Sequence, residues 1–342
     1  MTARVVGRKR AFSGLRPLDP SRDLGQVADL IEEAFGEGLS REGREALRDL
    51  RVMSYFGPLL WLLDRISPEF HEALRGFVWV EDGRVVGNVN VNQAFPRCWL
   101  ISNVAVRPAW RRRGIARRLV QAALDEVRRQ GGGAVALQVR ADNLPALRLY
   151  QSFGFEQVTG ITELRLESSA FPRPSAETPT AEGFALRPRR YDEWRKEYEL
   201  ALAATPAQAW RIKPAREEDF RVGIEERISK ALGGLLTGRR EHRLAVEKAG
   251  RFIATLTVRA TRWLGEHRLE MMVHPDYCGR LEEMLVAKAL AILAGYPRRA
   301  VLVSHPAEHG EAIEALKCHG FVEEGTLVYM WLELRGWPFV AA

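Results

Sequence analysis

The feature that most constrains the fold is an internal repeat. The segment "NVAVRP" at 103–108 resembles "EMMVHP" at 270–275, and "YQSFGFEQ" at 150–157 resembles "LKCHGFVE" at 316–323. The two prolines are 167 residues apart and the two Gly-Phe pairs are 166 residues apart in the 342-residue chain. Because a nearly constant offset indicates a duplicated structural unit, the sequence predicts two copies of one domain.

A segment rich in Pro, Ser and Thr separates the copies. "SSAFPRPSAETPTAEG" at 168–183 has neither helical nor strand periodicity, which is typical of a linker. We therefore predict a first domain at 1–168, a linker at 169–183 and a second domain at 184–342.

Periodicity within the first copy predicts a mixed α/β fold. Apolar residues at helical spacing predict a helix over 23–35, with Ser21 or Asp23 as its N-cap. Alternation around Asp82-Gly83 predicts a hairpin. A strand ending at Pro108, a helix over 114–129 and a buried strand at 134–140 follow, and then a second helix and a closing pair of strands over 154–167.

Charge and cysteine content limit the class of protein. The net charge of +7 favours anionic partners, which include nucleic acid, membrane surfaces and phosphorylated small molecules. Cys98, Cys278 and Cys318 lie far apart and form no Cys-x-x-Cys pair. The basic N-terminus lacks the apolar stretch of a signal peptide, and the apolar block at 58–63 is too short to span a bilayer. We expect a cytoplasmic protein that is not in a membrane.

The arginine-rich segment "RRRGIARRL" at 111–119 lies between a predicted strand and a predicted helix. Main-chain N–H groups at the positive end of a helix hold phosphate oxygens, and Gly114 and Ala116 allow close approach. The alternatives are a solvated helix face or a patch that neutralises nucleic-acid phosphates. Neither alternative requires Gly114 or Ala116, so a nucleic-acid partner is not expected.

Two motifs together resemble the GNAT N-acetyltransferase superfamily. Arg111-x-x-Gly114-x-Ala116 is similar to its coenzyme A loop, and "ADNLPALRLYQSFGF" at 141–155 is similar to its Asn-x-x-Ala-x-x-Leu-Tyr-x-x-x-Gly-Phe pattern. The resemblance covers residues 15–168. It implies two tandem GNAT-like domains, each with a mixed, mostly antiparallel central sheet flanked by helices.

The resemblance also implies a reaction and its residues. Acetyl-CoA is the expected co-substrate, and an amine of a small molecule or peptide is the expected acceptor, with no metal and a monomer or homodimer as the assembly. Tyr150 is the expected general acid, which protonates the departing thiolate. The residues expected to bind the cofactor are Val104, Ala105, Val106, Arg111, Arg112, Arg113, Gly114, Ile115, Ala116, Arg117 and Asn143.

The general base stays open. Where many relatives carry a carboxylate on the central strand, this chain has Asn103. Glu32, Glu33 and a chain of water molecules are the alternatives.

The second copy departs from the motifs. Glu282 and Glu283 lie where the phosphate loop is expected, and Leu316 and His309 replace the tyrosine and asparagine. We expect a degenerate domain without cofactor binding, although Glu270 lies where a general base often lies. Its role would be structural, and Glu270 would then be a buried, paired carboxylate.

Two further segments receive structural interpretations. His305 and His309 are interpreted as surface histidines, because Pro306 disfavours a helical His-x-x-x-His turn. The apolar segment at 52–66 is interpreted as core packing rather than an acceptor pocket. The functional alternative to catalysis is a non-catalytic acyl-coenzyme A sensor or scaffold.

Overall fold

The structure is a computed structural model, and it describes residues 12–36, 41–56, 60, 67, 72, 74–171, 183–212, 215–221, 238–263 and 265–334. Most of the predicted linker and of the segment 52–66 therefore lies outside the described residues. Among the described helices, none is long and apolar enough to cross a membrane. The chain divides into two compact units: Met1–Gln138 with Leu149–Glu156 and Trp331–Ala342, and Val139–Arg148 with Gln157–Met330.

The first unit is a sheet with helices packed on it. Its strand order is β1-β2-β3-β4-β5 followed by the last residues of β12. Strands β4 and β5 pair in parallel, whereas β1 with β2, β2 with β3 and β3 with β4 pair antiparallel. A core of Val, Leu, Ile and Ala side chains lies between α1, α2 and strands β2 to β4. The elements are β1 Gly14–Pro17, α1 Pro20–Phe35, α2 Arg41–Ser54, β2 Gly76–Glu81, β3 Arg84–Phe95, β4 Cys98–Val106, α3 Ile115–Arg129, most of β5 Ala134–Arg140, the end of α4 Leu144–Gln151 and the end of β12 Val322–Glu333.

The second unit repeats this arrangement. Its strand order is β12-β6-β11-β10-β9-β8-β7, and β10 pairs parallel with β11. A large apolar core lies between this sheet and the helices α7 and α8. The elements are β6 Glu156–Leu166, β7 Leu186–Pro188, α5 Trp194–Ala204, α6 Glu217–Phe220, β8 Arg239–Lys248, β9 Arg251–Thr261, β10 His267–Val273, α7 Glu282–Leu293, β11 Val301–Pro306 and α8 Gly310–Cys318.

Each unit contains segments from the other half of the sequence. Strand β6, for example, lies within the predicted first copy and yet pairs with β11 of the second unit. The predicted boundaries at 168 and 184 describe sequence copies and stay a prediction. The predicted mixed, mostly antiparallel α/β class is confirmed.

Two local predictions were wrong. The N-cap of α1 is Asp19, whose side chain accepts from the N–H of Ser21, whereas Asp23 is buried and bonds to Arg16. The closing pair of strands is one strand, β6, because Gly160 stays extended and its N–H donates to Glu308.

Candidate functional site

Strand β4 is distorted where the cofactor was expected to lie. Asn103 has a positive φ of 52°, and the register with β3 moves from Asn90 opposite Ser102 to Asn88 opposite Ala105. This is a β-bulge, which bends a strand and leaves a residue unpaired. In the described residues, pairing of β4 with β5 ends at Ile101 opposite Leu137, although β5 continues to Arg140. The segment Val104–Val106 thus lies beyond the parallel ladder.

The loop after β4 ends in a helix start that has no side-chain cap. Gly114 is the N-cap of α3, in the left-handed conformation with φ 76°, and beyond its chain neighbours no atom lies within 4 Å of the position that a Cβ would take. The N–H of Arg118 bonds to the carbonyl of Gly114, which closes the first turn. The N–H groups of 115–117 precede that bond and belong to the unpaired first turn that binds anions. The start of α3 therefore has free N–H groups of the kind that bind an anion, and the space beside Gly114 is open.

The arginines around this loop have different roles. Arg107 is buried, donates from Nε to the carbonyl of Val85 at 3.0 Å and forms an ion pair with Glu33. Arg111 donates from Nε to the carbonyl of Val106 at 3.1 Å. These two side chains brace the loop against the sheet, which a uniformly solvated face would not do.

Two arginines of α3 lie against aromatic rings. The guanidinium of Arg117 is 5.1 Å from the ring centroid of Phe153 and donates to the hydroxyl of Ser152 at 2.7 Å. The guanidinium of Arg118 is 5.2 Å from the ring of Trp79. The first contact joins the start of α3 to the segment that follows Tyr150.

Tyr150 lies in α4 and is 5% exposed. Its ring packs edge-to-face on Phe155, with 5.9 Å between centroids. Burial raises the pKa of Tyr150 to about 12. The phenol therefore stays protonated at neutral pH, as a proton donor requires. The structure is consistent with the acid role and with aromatic packing, so the role stays a prediction.

Asn143 precedes α4 and caps it. Its Oδ1 accepts a hydrogen bond from the N–H of Ala146 at 3.3 Å, and its carbonyl accepts from the N–H of Leu147. Its expected hydrogen bond to the pantetheine arm remains a prediction.

Three asparagines meet at the bulge. The Nδ2 of Asn88 donates to Oδ1 of Asn90 at 2.9 Å and to the carbonyl of Asn103 at 3.1 Å, and Nδ2 of Asn103 donates to Oδ1 of Asn90 at 3.2 Å. Asn88 is fully buried, and no donor among the described residues reaches its Oδ1. A buried carbonyl without a partner is costly, so this oxygen fits a water molecule or a ligand N–H group. Sequence reasoning singled out Asn103 but missed Asn88 and Asn90.

The two carboxylates considered as bases are both paired. Glu32 bonds to Arg51, and that hydrogen bond lowers the pKa of Glu32. Glu33 pairs with Arg107. The arginine partner of Glu32 favours the ionised carboxylate and so makes Glu32 a weaker base.

The second copy places a carboxylate where the first has an open helix start. Glu282 is the first residue of α7 and is 2% exposed, and its Oε2 accepts from the N–H of Leu281 at 3.0 Å. Burial opposes its ionisation, yet the pKa of Glu282 is lowered by hydrogen bonds from His309 and from nearby backbone N–H groups. The protein's own carboxylate therefore occupies the anion position at this helix.

The other second-copy residues are found as follows. Leu316, at the tyrosine position, is fully buried. Glu270 forms an ion pair with Arg259, as expected for a paired carboxylate. Its side chain is about half exposed, so the expectation that it is buried was wrong.

The interpretation of the two histidines as surface residues was also wrong. His305 is 2% exposed at the end of β11, and its Nε2 is 2.9 Å from Nδ1 of His309, which precedes α8. Pro306 does exclude a helical turn between them, as expected.

Comparison with known proteins identifies the family. The model of the acetyltransferase (GNAT) family matches residues 28–155. The N-alpha-acetyltransferase RimI of Mycobacterium tuberculosis is 32% identical over 124 residues, which are 35% of this chain and 77% of that protein. The [ribosomal protein bS18]-alanine N-acetyltransferase of Escherichia coli is 40% identical over 57 residues, which are 17% of this chain, and the match spans only 38% of that enzyme's length.

Two solved structures share the fold over nearly the whole chain. A GCN5-related N-acetyltransferase from Sphaerobacter thermophilus has a TM-score of 0.61 at 18% identity, covering 95% of this chain and 96% of that one. A tandem GNAT protein from the clavulanic acid biosynthesis pathway has a TM-score of 0.53 at 21% identity, covering 93% and 98%. At these identities the likeness shows the fold alone. The family model and the RimI relative show that this chain belongs to the GNAT acetyltransferase family.

Proposed function

We propose that the protein is an acetyl-CoA-dependent N-acetyltransferase that uses the first copy as its catalytic domain. The observation that carries the proposal is the bulge at Asn103, where pairing with β5 has ended, followed in the same unit by the uncapped start of α3 at Gly114. A released strand edge and an open helix N-terminus supply main-chain groups for an amide-containing arm and a diphosphate.

This geometry supports the following proposal for the binding residues. The main-chain N–H groups of Arg112–Arg117 hold the diphosphate. The side chain of Arg111 stabilises the loop through its hydrogen bond to the carbonyl of Val106. The backbone of Val104–Val106 hydrogen-bonds the pantetheine arm, and Asn143 adds a side-chain contact. Gly114 lacks a Cβ, so the diphosphate can approach the backbone closely.

The co-substrate supplies a thioester, whose carbonyl carbon the amine attacks directly. The C–N bond forms as the C–S bond breaks, the amine loses a proton, and Tyr150 gives its phenolic proton to the departing thiolate. A main-chain N–H at the bulge polarises the carbonyl, and such a donor typically contributes about 3 to 4 kcal/mol. The buried, protonated phenol of Tyr150 suits the donor role.

The proton of the amine leaves through water. Glu32 and Glu33 are engaged by arginines, which leaves the asparagine cluster of Asn88, Asn90 and Asn103 as the polar group beside the bulge. The buried, unpartnered Oδ1 of Asn88 accepts a hydrogen bond from a water molecule on this path.

The acceptor is an amine of a peptide or small molecule. One relative is named for N-acetylating an alanine of a ribosomal protein and another for N-alpha acetylation. We place the reaction in the cytoplasm, because none of the three cysteines forms a disulfide. We further propose that the second copy is degenerate, since Glu282 fills its anion position.

Thiol release from acetyl-CoA in the presence of an amine panel, which includes peptides with free N-termini, tests this function. We expect release that depends on both the protein and one class of amine. Tight acetyl-CoA binding without release for any amine would favour a non-catalytic sensor. Absence of acetyl-CoA binding would contradict both functions.

A further inference from the structure

We propose that the second unit contains a zinc site formed by Cys278, Glu282 and His309. One ligand atom from each residue lies within 4.8 Å of the other two. The site is separate from the proposed acetyl-CoA site and does not depend on it. The sequence spacing of these three residues does not predict a metal site, because the residues come from three different segments.

The three segments meet at the starts of two helices. Cys278 ends the short turn after β10, Glu282 is the first residue of α7, and His309 immediately precedes α8. A metal held by all three would fix both helix starts to one turn. Such cross-linking of separate segments is what structural zinc sites provide.

The ligand set is one that zinc prefers. A thiolate with an imidazole selects a soft or borderline transition metal over Mg²⁺ and Ca²⁺, which take oxygen ligands. Ligand atoms around tetrahedral zinc are about 3.4 Å apart, given bonds of about 2.0 to 2.3 Å. The Glu282 Oε1 to His309 Nε2 distance is 2.8 Å. Shifts of about 1 Å therefore bring all three atoms to zinc distances.

Neighbouring groups already orient two of the ligands. The N–H of Leu281 holds Oε2 of Glu282 at 3.0 Å, which leaves Oε1 for the metal. The Nε2 of the buried His305 lies 2.9 Å from Nδ1 of His309, which leaves Nε2 of His309 for the metal. When Nε2 binds a metal, Nδ1 carries the proton and donates to His305. Such outer contacts accompany metal-ligating histidines and carboxylates.

Charge also favours a cation here. Glu282 is buried and faces the thiol of Cys278, and Glu311 contributes a further negative charge near that thiol. The partial positive charge at the start of α7 is offset by the carboxylate of Glu282 itself. A divalent cation neutralises the carboxylate and the thiolate together. The three ligands leave a fourth tetrahedral position for water or for Glu311.

Calorimetric titration of the tag-free, chelator-treated full chain with Zn²⁺ tests the site. We expect one zinc per chain, and a loss of at least tenfold in affinity for Cys278→Ser and His309→Ala. The matched control is Cys318→Ser, since Cys318 is exposed and its thiol contacts Glu314 instead. Unchanged zinc affinity in Cys278→Ser would overturn the proposal, as would absence of binding to the wild-type chain.

Titration with Co²⁺ adds a readout that does not depend on how well His309→Ala folds. Thiolate ligation gives a sulfur-to-cobalt charge-transfer absorption. We expect this band in the wild-type protein and in Cys318→Ser, and its loss in Cys278→Ser, whose side chain has nearly the same shape. A band that persists in Cys278→Ser would show that another cysteine binds the metal and would refute the site.

Discussion

Glu33 and Arg107 form an ion pair whose partners differ in exposure: the guanidinium side chain is 7% exposed and the carboxylate side chain 42%. The guanidinium also donates to the carbonyl of Val85, so it connects α1 to β3 beneath the arginine-rich loop. This arrangement makes Glu33 a structural partner of a buried cation. A test of Glu33 as the general base must therefore separate a loss of stability from a loss of catalysis.

We expect Glu33→Gln to lower the free energy of unfolding by about 1 to 3 kcal/mol, because it leaves a buried charge without its counter-ion. The shape of the pH–rate profile should not change. Urea denaturation and the pH dependence of turnover measure the two effects. Glu32→Gln is the control, since Glu32 pairs with Arg51 on the surface. Loss of the acidic limb of the profile, on which a general base becomes protonated, in Glu33→Gln alone would make Glu33 the base.

We expect Gly114→Ala to weaken acetyl-CoA binding by at least about tenfold, equivalent to about 1.4 kcal/mol. The added Cβ would occupy the space through which the diphosphate approaches the backbone. Gly131→Ala is the matched control, because Gly131 lies just past the other end of α3 with φ 69° and, beyond its chain neighbours, has no atom within 4 Å of its Cβ position. Both variants carry similar backbone strain, so calorimetry should show weaker binding only in Gly114→Ala. Equal affinities would place the diphosphate elsewhere.

The loop could be predicted from the sequence more completely than the strand beside it. Gly114 follows an arginine run and precedes a helical apolar pattern, and these local signals fix where α3 begins. The left-handed Asn103 gives no such signal, because the bulge depends on how β4 pairs with β3. The pairing of Glu33 with Arg107, 74 residues apart, depends on tertiary packing in the same way.

The burial of His305 could have been predicted from the sequence pattern of β11. Along β11, Val301, Val303 and His305 are buried while Ser304 is exposed, so the strand alternation extends to the histidine. The sequence interpretation tested the spacing of His305 and His309 only against a helix. A strand that ends at Pro306 followed by a new helix brings the same two residues together.

We expect Tyr150→Phe to lower turnover by about 10² to 10⁴-fold, the usual contribution of a general acid, with little change in the affinity for acetyl-CoA. Because the pKa of Tyr150 is raised to about 12, the wild-type phenol stays protonated throughout the neutral range. Single-turnover kinetics and calorimetry measure the two quantities. Tyr198→Phe is the control, since its ring contact with Phe220 survives the change. Equal loss in both variants would remove Tyr150 from the mechanism.

We expect one coenzyme A to bind per chain. In the second copy the backbone N–H of Leu281 is already bonded to Glu282, so a diphosphate would have to displace a buried carboxylate. Isothermal titration calorimetry gives the stoichiometry directly. A value of two would show that the second copy retains cofactor binding.

We expect the wild-type protein to lose stability as the pH falls below 6.5, in part through His267. This ring is fully buried, with Nδ1 accepting from the N–H of Thr261 at 3.1 Å and Nε2 donating to the carbonyl of Pro297 at 3.0 Å. Burial lowers the pKa of His267 from its ordinary value of 6.5, so the unfolded chain binds more protons in this range and acid favours unfolding.

In His267→Asn, an amide oxygen can still accept from Thr261 but cannot titrate. The variant should be less stable than wild type at pH 8, and the difference should shrink as the pH falls below 6.5. Denaturant unfolding across this range measures both curves, and parallel curves would show that His267 does not contribute to the acid sensitivity.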